Sequence, residues 1–271
     1  MRRLFELARD EDLGLDAPLA FRGDITSAVS VDEASHCAAK LVARRAGVVG
    51  GLAWVPDLIA VFSPHVRFEA HQRDGAAVSD GAALGLVVGP TRDVLAVERT
   101  LLNVVGRLCG IATRTAAFVR AAGSDTRARV FDTRKTTPGL RALEKYAVRC
   151  GGGLCHRQGL YDALLIKDNH IAGLTPERLG ERVARAARRA RELNPALAFV
   201  EVEVDSIDQL RAVLALPAGT VDIILLDNMT PSLLAECVRA RDAIAQQRGS
   251  APALEASGGV TLETIRAIAQ T

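Results

Sequence analysis

Side chains that could bind anions are concentrated in one part of the sequence, residues 132–171. Arginines, lysines, hydroxyls and imidazoles recur there at the ends of short apolar runs, whereas a solvated surface would scatter them. Charge-assisted hydrogen bonds from such groups hold carboxylates and phosphates. The stretch therefore predicts a site for a small, multiply anionic substrate. Its three polar segments are Asp132–Gly139, Gly151–Arg157 and Lys167–His170.

Five cations and imidazoles in this stretch are the first candidates. Arg134 and Lys135 precede a Thr-Pro-Gly turn, and a guanidinium can hold a carboxylate by two parallel hydrogen bonds; the alternative is a pair of solvated loop cations. His156 and Arg157 follow three glycines, which permit a close backbone approach to a ligand, against the alternative of a structural histidine. Lys167 directly follows an apolar run. Only 4 of the 34 cations are lysines, so lysine at 135 and 167 is a selective choice of a compact charge.

Carboxylates and glycines follow the later apolar runs. Strand alternation places Glu201 and Glu203 on one face, where buried carboxylates need cations or substrate hydroxyls as partners; the alternative is a structural ion pair with an arginine. Asp227 follows Ile-Ile-Leu-Leu and suits ribose hydroxyls or a metal. A glycine turn before a helix offers backbone N–H groups to a phosphate, although it can also be a plain turn. That turn is Ser257, Gly258 and Gly259.

The elements that must position these residues alternate between strand and helix. Such alternation indicates βα units and a parallel sheet, and functional residues at the carboxyl ends of successive strands are typical of a (β/α) barrel. A helix is expected after the last strand, at 262–269. The predicted strands are 128–131, 154–155, 163–166, 198–204, 221–226 and 253–256.

The N-terminal part predicts a separate α+β domain because its strands are closely spaced. A long helix with an apolar stripe is expected from 92 to 109, interrupted at Gly110 before a second helix. We expect this α+β domain to end near residue 90. The other expected elements are helices at 4–14, 56–62 and 142–150 and strands at 37–45, 66–72 and 83–88.

Composition excludes several classes of protein. With 49% apolar and 24% charged residues, the 271-residue chain is ordinary for a globular protein, and its net charge of +2 gives no argument for nucleic acid. Apolar runs are too short to predict a membrane span. Five scattered cysteines and an N-terminus without a signal-peptide pattern favour reduced thiols and a cytoplasmic protein. Cys150, Cys155 and His156 match no common zinc spacing.

Taken together, the motifs closely resemble the quinolinate phosphoribosyltransferase family (nicotinate-nucleotide pyrophosphorylase, carboxylating). They run nearly end to end and in order. The resemblance implies two domains, an N-terminal α/β sandwich at 1–110 and an incomplete α/β barrel at 111–271. It also implies a homodimer in which each site is completed by the partner. The matching segments are Gly23–Thr26, Glu98–Thr100, Asp132–Gly139, Glu144–Gly153, His156–Arg157, Leu165–His170, Glu201–Asp205, Leu225–Asn228 and Ser257–Val260.

The resemblance also implies a reaction and a role for each candidate. Quinolinate and phosphoribosyl pyrophosphate, with Mg²⁺, would give nicotinate mononucleotide, pyrophosphate and CO₂ in de novo NAD synthesis. Cations would bind the two quinolinate carboxylates: Arg134, His156, Arg157 and, from the other subunit, Arg99. Lysines would neutralise substrate and pyrophosphate: Lys135 and Lys167. Glu203 and Asp227, near Mg²⁺, would hold ribose hydroxyls. The glycine turn of Ser257, Gly258 and Gly259 would hold the 5′-phosphate.

Two other functions stay open at this point. A related phosphoribosyltransferase acting on nicotinate or another pyridine-like acid would need fewer cations, so Arg99, Arg134 and Arg157 together favour a dianionic ring. A non-enzymatic regulator binding a phosphorylated metabolite would fit a site lacking the family's last strand and glycine turn. Those elements follow 262–269 in the family and are not in this sequence, so we expect the phosphate site to be half-specified. The resemblance gives no account of Leu15–Arg22.

Overall fold

The structure, a computed structural model, describes residues 1–18 and 20–271. It divides into two compact units: unit 1 is Met1–Val119 with Lys135–Cys155, and unit 2 is Arg120–Arg134 with His156–Thr271. Each unit contains helices and strands, which confirms the α/β class. The boundary at residue 110 stays a prediction. The segment Leu15–Arg22, which the family resemblance does not explain, includes Leu19, which lies outside the described residues.

Unit 1 contains two small antiparallel sheets. One has the strand order β1-β5-β3, and the other pairs β2 with β4. The three longer strands were expected from the sequence, whereas β2 and β4 are too short to show a pattern. The strands are β1 (His36–Val42), β2 (Gly47–Val48), β3 (Arg67–Ala70), β4 (Ala77–Val78) and β5 (Ala83–Pro90), and the helices are α1 (Arg2–Leu13), α2 (Ile25–Ser30), α3 (Val55–Phe62), α4 (Thr91–Ala122) and α5 (Arg141–Cys150), with a 3₁₀ turn at Leu52–Trp54.

Helix α4 supplies much of the core of unit 1. Its predicted apolar stripe is confirmed, with Val97, Leu101 and Leu108 at most 3% exposed. The break predicted at Gly110 is wrong, because α4 continues to Ala122. Glycine inside a helix costs only about 1 kcal/mol relative to alanine. Buried packing on both sides, at Leu108 and Ala112, offsets that cost.

Unit 2 is built on a parallel sheet with the strand order β6-β7-β8-β9. Four strands alternating with helices make an incomplete (β/α) barrel, as predicted. The strands are β6 (Leu164–Ile166), β7 (Val200–Val204), β8 (Ile223–Asp227) and β9 (Ala253–Ser257), and the helices are α6 (Asp168–Ile171), α7 (Pro176–Leu193), α8 (Ile207–Leu214), α9 (Pro231–Arg248) and α10 (Ile265–Ala269).

The two faces of this sheet differ in polarity. On one face Val202, Ile224 and Leu226 are at most 2% exposed and belong to the apolar core of the unit. Because side chains alternate along a strand, the other face carries Glu201 and Glu203 of β7, and Glu255 and Ser257 of β9. The carboxylates therefore project from the sheet on the side away from this apolar core.

Two expected strands and part of one helix are absent. At 128–131 and 154–155 the structure has only isolated bridge residues, Phe131 and Leu154; Phe131 is 44% exposed, so burial does not stabilise a strand there. The helix expected at 262–269 begins at Ile265. The hydroxyl of Thr264 instead accepts the backbone N–H of Thr261 at 2.8 Å, a local bond that competes with helix formation. No helix in the described ranges is long and apolar enough to span a membrane.

Candidate active site

The register of the parallel sheet brings four predicted residues to one edge. Ile166 is level with Val202, Val204 with Leu226, and Asp227 with Ser257. The residues at the carboxyl ends of these strands therefore lie side by side. They are Lys167, Glu203, Asp227 and Ser257, and the Nζ of Lys167 is 4.0 Å from the Oε2 of Glu203.

Negative charge is crowded at this edge. Burial raises the pKa of Glu203 and the charges of Asp227 and Asp168 raise it further, while Lys167 lowers it; the net shift is upward. Unfavourable interactions between carboxylates are relieved by hydroxyl donors or a cation. A ligand that supplies either would be stabilised here.

The tip of β8 is tied to the glycine turn after β9. The Nδ2 of Asn228 donates to the Oδ2 of Asp227 at 2.7 Å, and its backbone N–H donates to the carbonyl of Ser257 at 2.8 Å. Gly258 has φ +84°, and a Cβ there would lie 2.0 Å from the Oδ1 of Asn228. A residue larger than glycine would therefore clash with Asn228, whether or not a phosphate binds at this turn. Helix α10 has only five residues, so the helix terminus proposed to cradle the phosphate is shorter than expected.

A buried imidazole lies between two carboxylates on the polar face of the sheet. The Nε2 of His156 is 2.8 Å from the Oε2 of Glu201 and 3.6 Å from the Oε2 of Glu255. The His156 side chain is 10% exposed and that of Glu201 is completely buried. Glu201 therefore forms an ion pair within the protein, as the structural alternative predicted, but its partner is His156 rather than an arginine.

The charges of this cluster depend on one another. The hydrogen bond to Glu201 raises the pKa of His156 above its ordinary value, although burial opposes the rise. Burial and the nearby charge of Glu201 raise the pKa of Glu255 to about 7, against the influence of His156. The cluster therefore favours the charged form of His156 and the protonated form of Glu255, compared with the same groups in water.

Arg157 lies close to the same cluster, and Arg134 lies close to Arg157. Arg157 is 8% exposed, and its Nη1 donates to the carbonyl of Ala163 at 3.3 Å. Burial, and then the charge of Arg134, lower the pKa of Arg157. Like charges held together in a poorly solvated place favour an anion between them. The loop is fixed by Asp162, which accepts the backbone N–H groups of Gln158 and Gly159 at 2.7 and 2.9 Å.

The remaining predicted residues, Arg99 and Lys135, belong to unit 1. Arg99 lies on the exposed face of α4, and Lys135 is exposed. The threonines that follow Lys135 are fixed within unit 1. Arg107 donates to Glu144 at 2.9 Å and also to the hydroxyl of Thr137, and the N–H of Thr137 donates to Glu144 at 3.2 Å.

Sequence reasoning missed two partners of His156 in the histidine cluster, which is the group formed by His156, Glu201 and Glu255. Glu255 lies two residues before Ser257 in β9, so the two side chains lie on the same face of the sheet. That spacing was the sequence feature from which Glu255 could have been predicted. Asp132 was recognised only as part of a motif, yet its Oδ1 accepts the backbone N–H of His156 at 2.8 Å. Both lie far from His156 in the sequence, and only the fold joins them.

Comparison with known proteins gives one consistent result. Models of the quinolinate phosphoribosyl transferase N-terminal and C-terminal domains match residues 24–109 and 111–271. A Bacillus subtilis protein named probable nicotinate-nucleotide pyrophosphorylase [carboxylating] is 39% identical over 92% of this chain and 80% of its own length. A Mycobacterium leprae protein named nicotinate-nucleotide pyrophosphorylase [carboxylating] is 40% identical over 98% and 90%. The crystal structure of NadC from Streptococcus pyogenes is 37% identical and covers 97% of this chain and 85% of its own, with a TM-score of 0.81.

Proposed function

The chain belongs to the quinolinate phosphoribosyltransferase family, and on that premise we propose how its residues carry out the reaction. It is a decarboxylating phosphoribosyltransferase that converts quinolinate and phosphoribosyl pyrophosphate to nicotinate mononucleotide, pyrophosphate and CO₂ in de novo NAD synthesis. The observation that supports our assignment most is the edge of unit 2 where Lys167 faces Glu203. The cation that an anionic leaving group needs and the carboxylate that a developing sugar cation needs are adjacent there.

The pyridine dicarboxylate is bound by the cations near the histidine cluster. Arg157 and Arg134 repel one another in a poorly solvated position, which a dianion relieves, and His156 adds a third positive charge. Lys135 adds a further cation, and Arg99, exposed on α4, reaches the site of the other protomer in a homodimer. These assignments follow the family motif position by position.

The sugar is bound at the strand tips. Glu203 and Asp227 accept hydrogen bonds from ribose hydroxyls, and their negative charge stabilises the positive charge that develops on C1 as pyrophosphate departs. Lys167 and Lys135 neutralise the departing anion. The 5′-phosphate is held by the turn at Ser257, Gly258 and Gly259.

Magnesium fits the donors at this edge. Mg²⁺ takes oxygen ligands and is usually bound with substrate phosphates. The proximity of Glu203 and Asp227, whose charge raises the pKa of Glu203, supports the proposal of a cation near them. We propose that Glu203 and Asp227 would lie near a Mg²⁺ ion held by the sugar pyrophosphate. When bound, it neutralises charge on the pyrophosphate.

Loss of the ring carboxylate needs no protein nucleophile. Once the ring nitrogen is bonded to C1, its positive charge stabilises the electron pair that stays on the adjacent ring carbon as CO₂ leaves, and that carbon then takes up a proton from water. The protein has to hold the ring and exclude competing reactions. Arg134, Arg157 and His156, together with Arg99 of the partner subunit, serve that role.

Product analysis tests the function directly. Protein incubated with quinolinate, phosphoribosyl pyrophosphate and Mg²⁺ should give nicotinate mononucleotide, pyrophosphate and CO₂ in equal amounts. Nicotinate in place of quinolinate should react at least ~100-fold more slowly, because the paired cations lose one carboxylate partner. Faster reaction with nicotinate would overturn the substrate assignment.

Subunit mixing tests the shared site. Arg99→Ala and Lys167→Ala proteins should each be nearly inactive, whereas an equilibrated mixture should recover up to about a quarter of normal activity, since half the dimers are hybrids with one intact site. Exchange should be verified with differently labelled subunits. No recovery after proven exchange would mean that Arg99 serves its own subunit or none.

A further inference from the structure

Glu201 is a charged side chain that the assignments above do not use. It is in β7, level with Leu165 and Ile223 and two residues before Glu203, so it lies away from the edge where the sugar binds. It is completely buried, and its Oε1 has no hydrogen-bond partner among residues 1–18 and 20–271. Burying a carboxylate in this way is costly unless its partner is charged and well placed. The placement therefore points to a role for its one close partner, His156.

The contact with Glu201 fixes where the His156 ring carries hydrogen. An ionised carboxylate only accepts hydrogen bonds, so the Nε2 of His156, 2.8 Å away, carries a hydrogen. In the neutral ring Nδ1 is then an acceptor, whereas in the imidazolium it is a donor. A carboxylate of the substrate can also only accept. His156 can therefore bind such a group only in its charged form.

We propose that Glu201 is a positioning residue that, without touching the substrate, holds His156 as an imidazolium of fixed orientation for binding a carboxylate of the pyridine dicarboxylate. The proposal rests on the proposed function, which gives His156 that ligand. The ring is also fixed edge-on against Phe199, with centroids 5.0 Å apart. Its backbone is held by Asp132. A fixed, charged imidazole is what preorganised recognition of an anion requires.

Glu255 is the second carboxylate of the cluster, and its role differs. It is farther from Nε2, at 3.6 Å, and its side chain is 24% exposed. Two ionised carboxylates and one imidazolium would leave a net negative charge where an anion has to bind. The upward shift of the Glu255 pKa to about 7 removes part of that charge near neutral pH. Glu201 is therefore the main partner of His156, and Glu255 a weaker one.

The charge state of His156 reflects every charged group packed against it. Glu201 raises its pKa most, Glu255 raises it, and burial and Arg157 lower it. Replacing Glu201 with glutamine keeps the shape and removes the largest upward influence, so the pKa of His156 should fall. Replacing Glu255 with glutamine is the matched control, because it makes the same chemical change at the weaker contact.

The first test is NMR titration of the ligand-free protein. The five histidines give few ring signals, and His156→Asn identifies the relevant one. His156 should titrate above the ordinary midpoint of ~6.5. In Glu201→Gln the midpoint should fall by about one pH unit or more, a tenfold loss of proton affinity, and in Glu255→Gln by less than half as much. An unchanged midpoint in Glu201→Gln would overturn the proposal.

The second test is steady-state kinetics against pH. Glu201→Gln should raise KM for quinolinate about tenfold at pH 8, where His156 has lost its charge, and less than ~3-fold at pH 6, where it is still charged. KM for phosphoribosyl pyrophosphate and kcat should change less than ~3-fold. A structural role would instead lower kcat and raise both KM values at every pH, and that pattern would overturn the proposal.

The variant Glu201→Asp tests the same contact with a milder change. Glu201→Asp keeps the charge but withdraws it by one methylene, so the His156 midpoint should fall part of the way and KM at pH 8 should rise in proportion. No change in either would overturn the proposal even if Glu201→Gln does not fold. Failure of the proposed function would appear separately, as absence of product from quinolinate while the ligand-free titration still shows the Glu201 contact.

Discussion

Substituting Gly258 tests how the tips of β8 and β9 are held together. With alanine at 258, the Cβ would lie 2.0 Å from the Oδ1 and 3.0 Å from the backbone nitrogen of Asn228. Gly259 also has a positive φ, +62°, but nothing in the described chain lies within 4 Å of a Cβ there. Alanine at either position costs about 1–2 kcal/mol of left-handed strain. Only at 258 must it also displace Asn228.

The extra cost at 258 follows from one hydrogen bond. Displacing Asn228 breaks its 2.7 Å contact with the Asp227 carboxylate, and a hydrogen bond to a charged group contributes about 1.5–3 kcal/mol. Since this contact is exposed, the lower figure applies. Gly258→Ala should therefore lower the free energy of unfolding by about 3 kcal/mol, against about 1.5 kcal/mol for Gly259→Ala.

Urea denaturation followed by circular dichroism gives the comparison. The lone tryptophan, Trp54, belongs to unit 1 and would report the wrong region. In an Asn228→Gly background the difference between the two alanine substitutions should shrink to less than half, because the obstructing side chain is gone and only the 3.0 Å approach to the backbone nitrogen of residue 228 remains. Equal costs in the unaltered background would refute the reasoning.

Three further substitutions test other contacts. Arg107→Met removes the guanidinium partner of Glu144 and should cost about 1.5 kcal/mol of unfolding free energy at pH 7, because the Arg107 side chain is 46% exposed and Glu144 keeps the backbone N–H of Thr137. Burial raises the pKa of Glu144, but hydrogen bonds from Arg107 outweigh it and lower the pKa below 4.5. The ion pair therefore stabilises the fold fully above pH 4.5 and less as the pH falls, so the cost of Arg107→Met measured in urea should shrink towards pH 3. A cost that stays constant with pH would contradict the pairing. Arg134→Ala should reduce turnover of quinolinate at least ~100-fold with an unchanged circular dichroism spectrum. Lys167→Met should reduce kcat about as much. As a control, Lys40→Ala, which changes an exposed lysine of β1, should leave kcat within about twofold of normal. Near-normal rates after substitution of Arg134 or Lys167 would reject the roles assigned to them.

The sequence predicted the strand tips of unit 2 because their pattern is local. Apolar runs that end in Lys167 or Asp227, with helices between them, define parallel strands and their polar edge. The contact of His156 with Glu201 and Glu255 is not local. It depends on strand order and on which face each strand turns inward, so Glu255, roughly 100 residues from His156, carried no signal that could be read alone.

The errors have a shared cause in burial. Residues 128–131 have strand-forming composition, but the exposed Phe131 shows that no core forms on them. Gly110 is a helix breaker by type, yet the packing of α4 outweighs its small cost. Propensity determines structure only where tertiary contacts do not oppose it.

The alternation along β7 also limits how this family can evolve. Inserting or deleting one residue between Val200 and Glu201 would exchange the two sides of the rest of the strand, driving both glutamates into the apolar layer and turning Val202 and Val204 towards the ligand. A change farther along would do the same to Glu203 alone. Homologues should therefore keep the length of this strand constant and accept additional residues only in the connections before and after it. An alignment of relatives would show gaps clustered at those two joints.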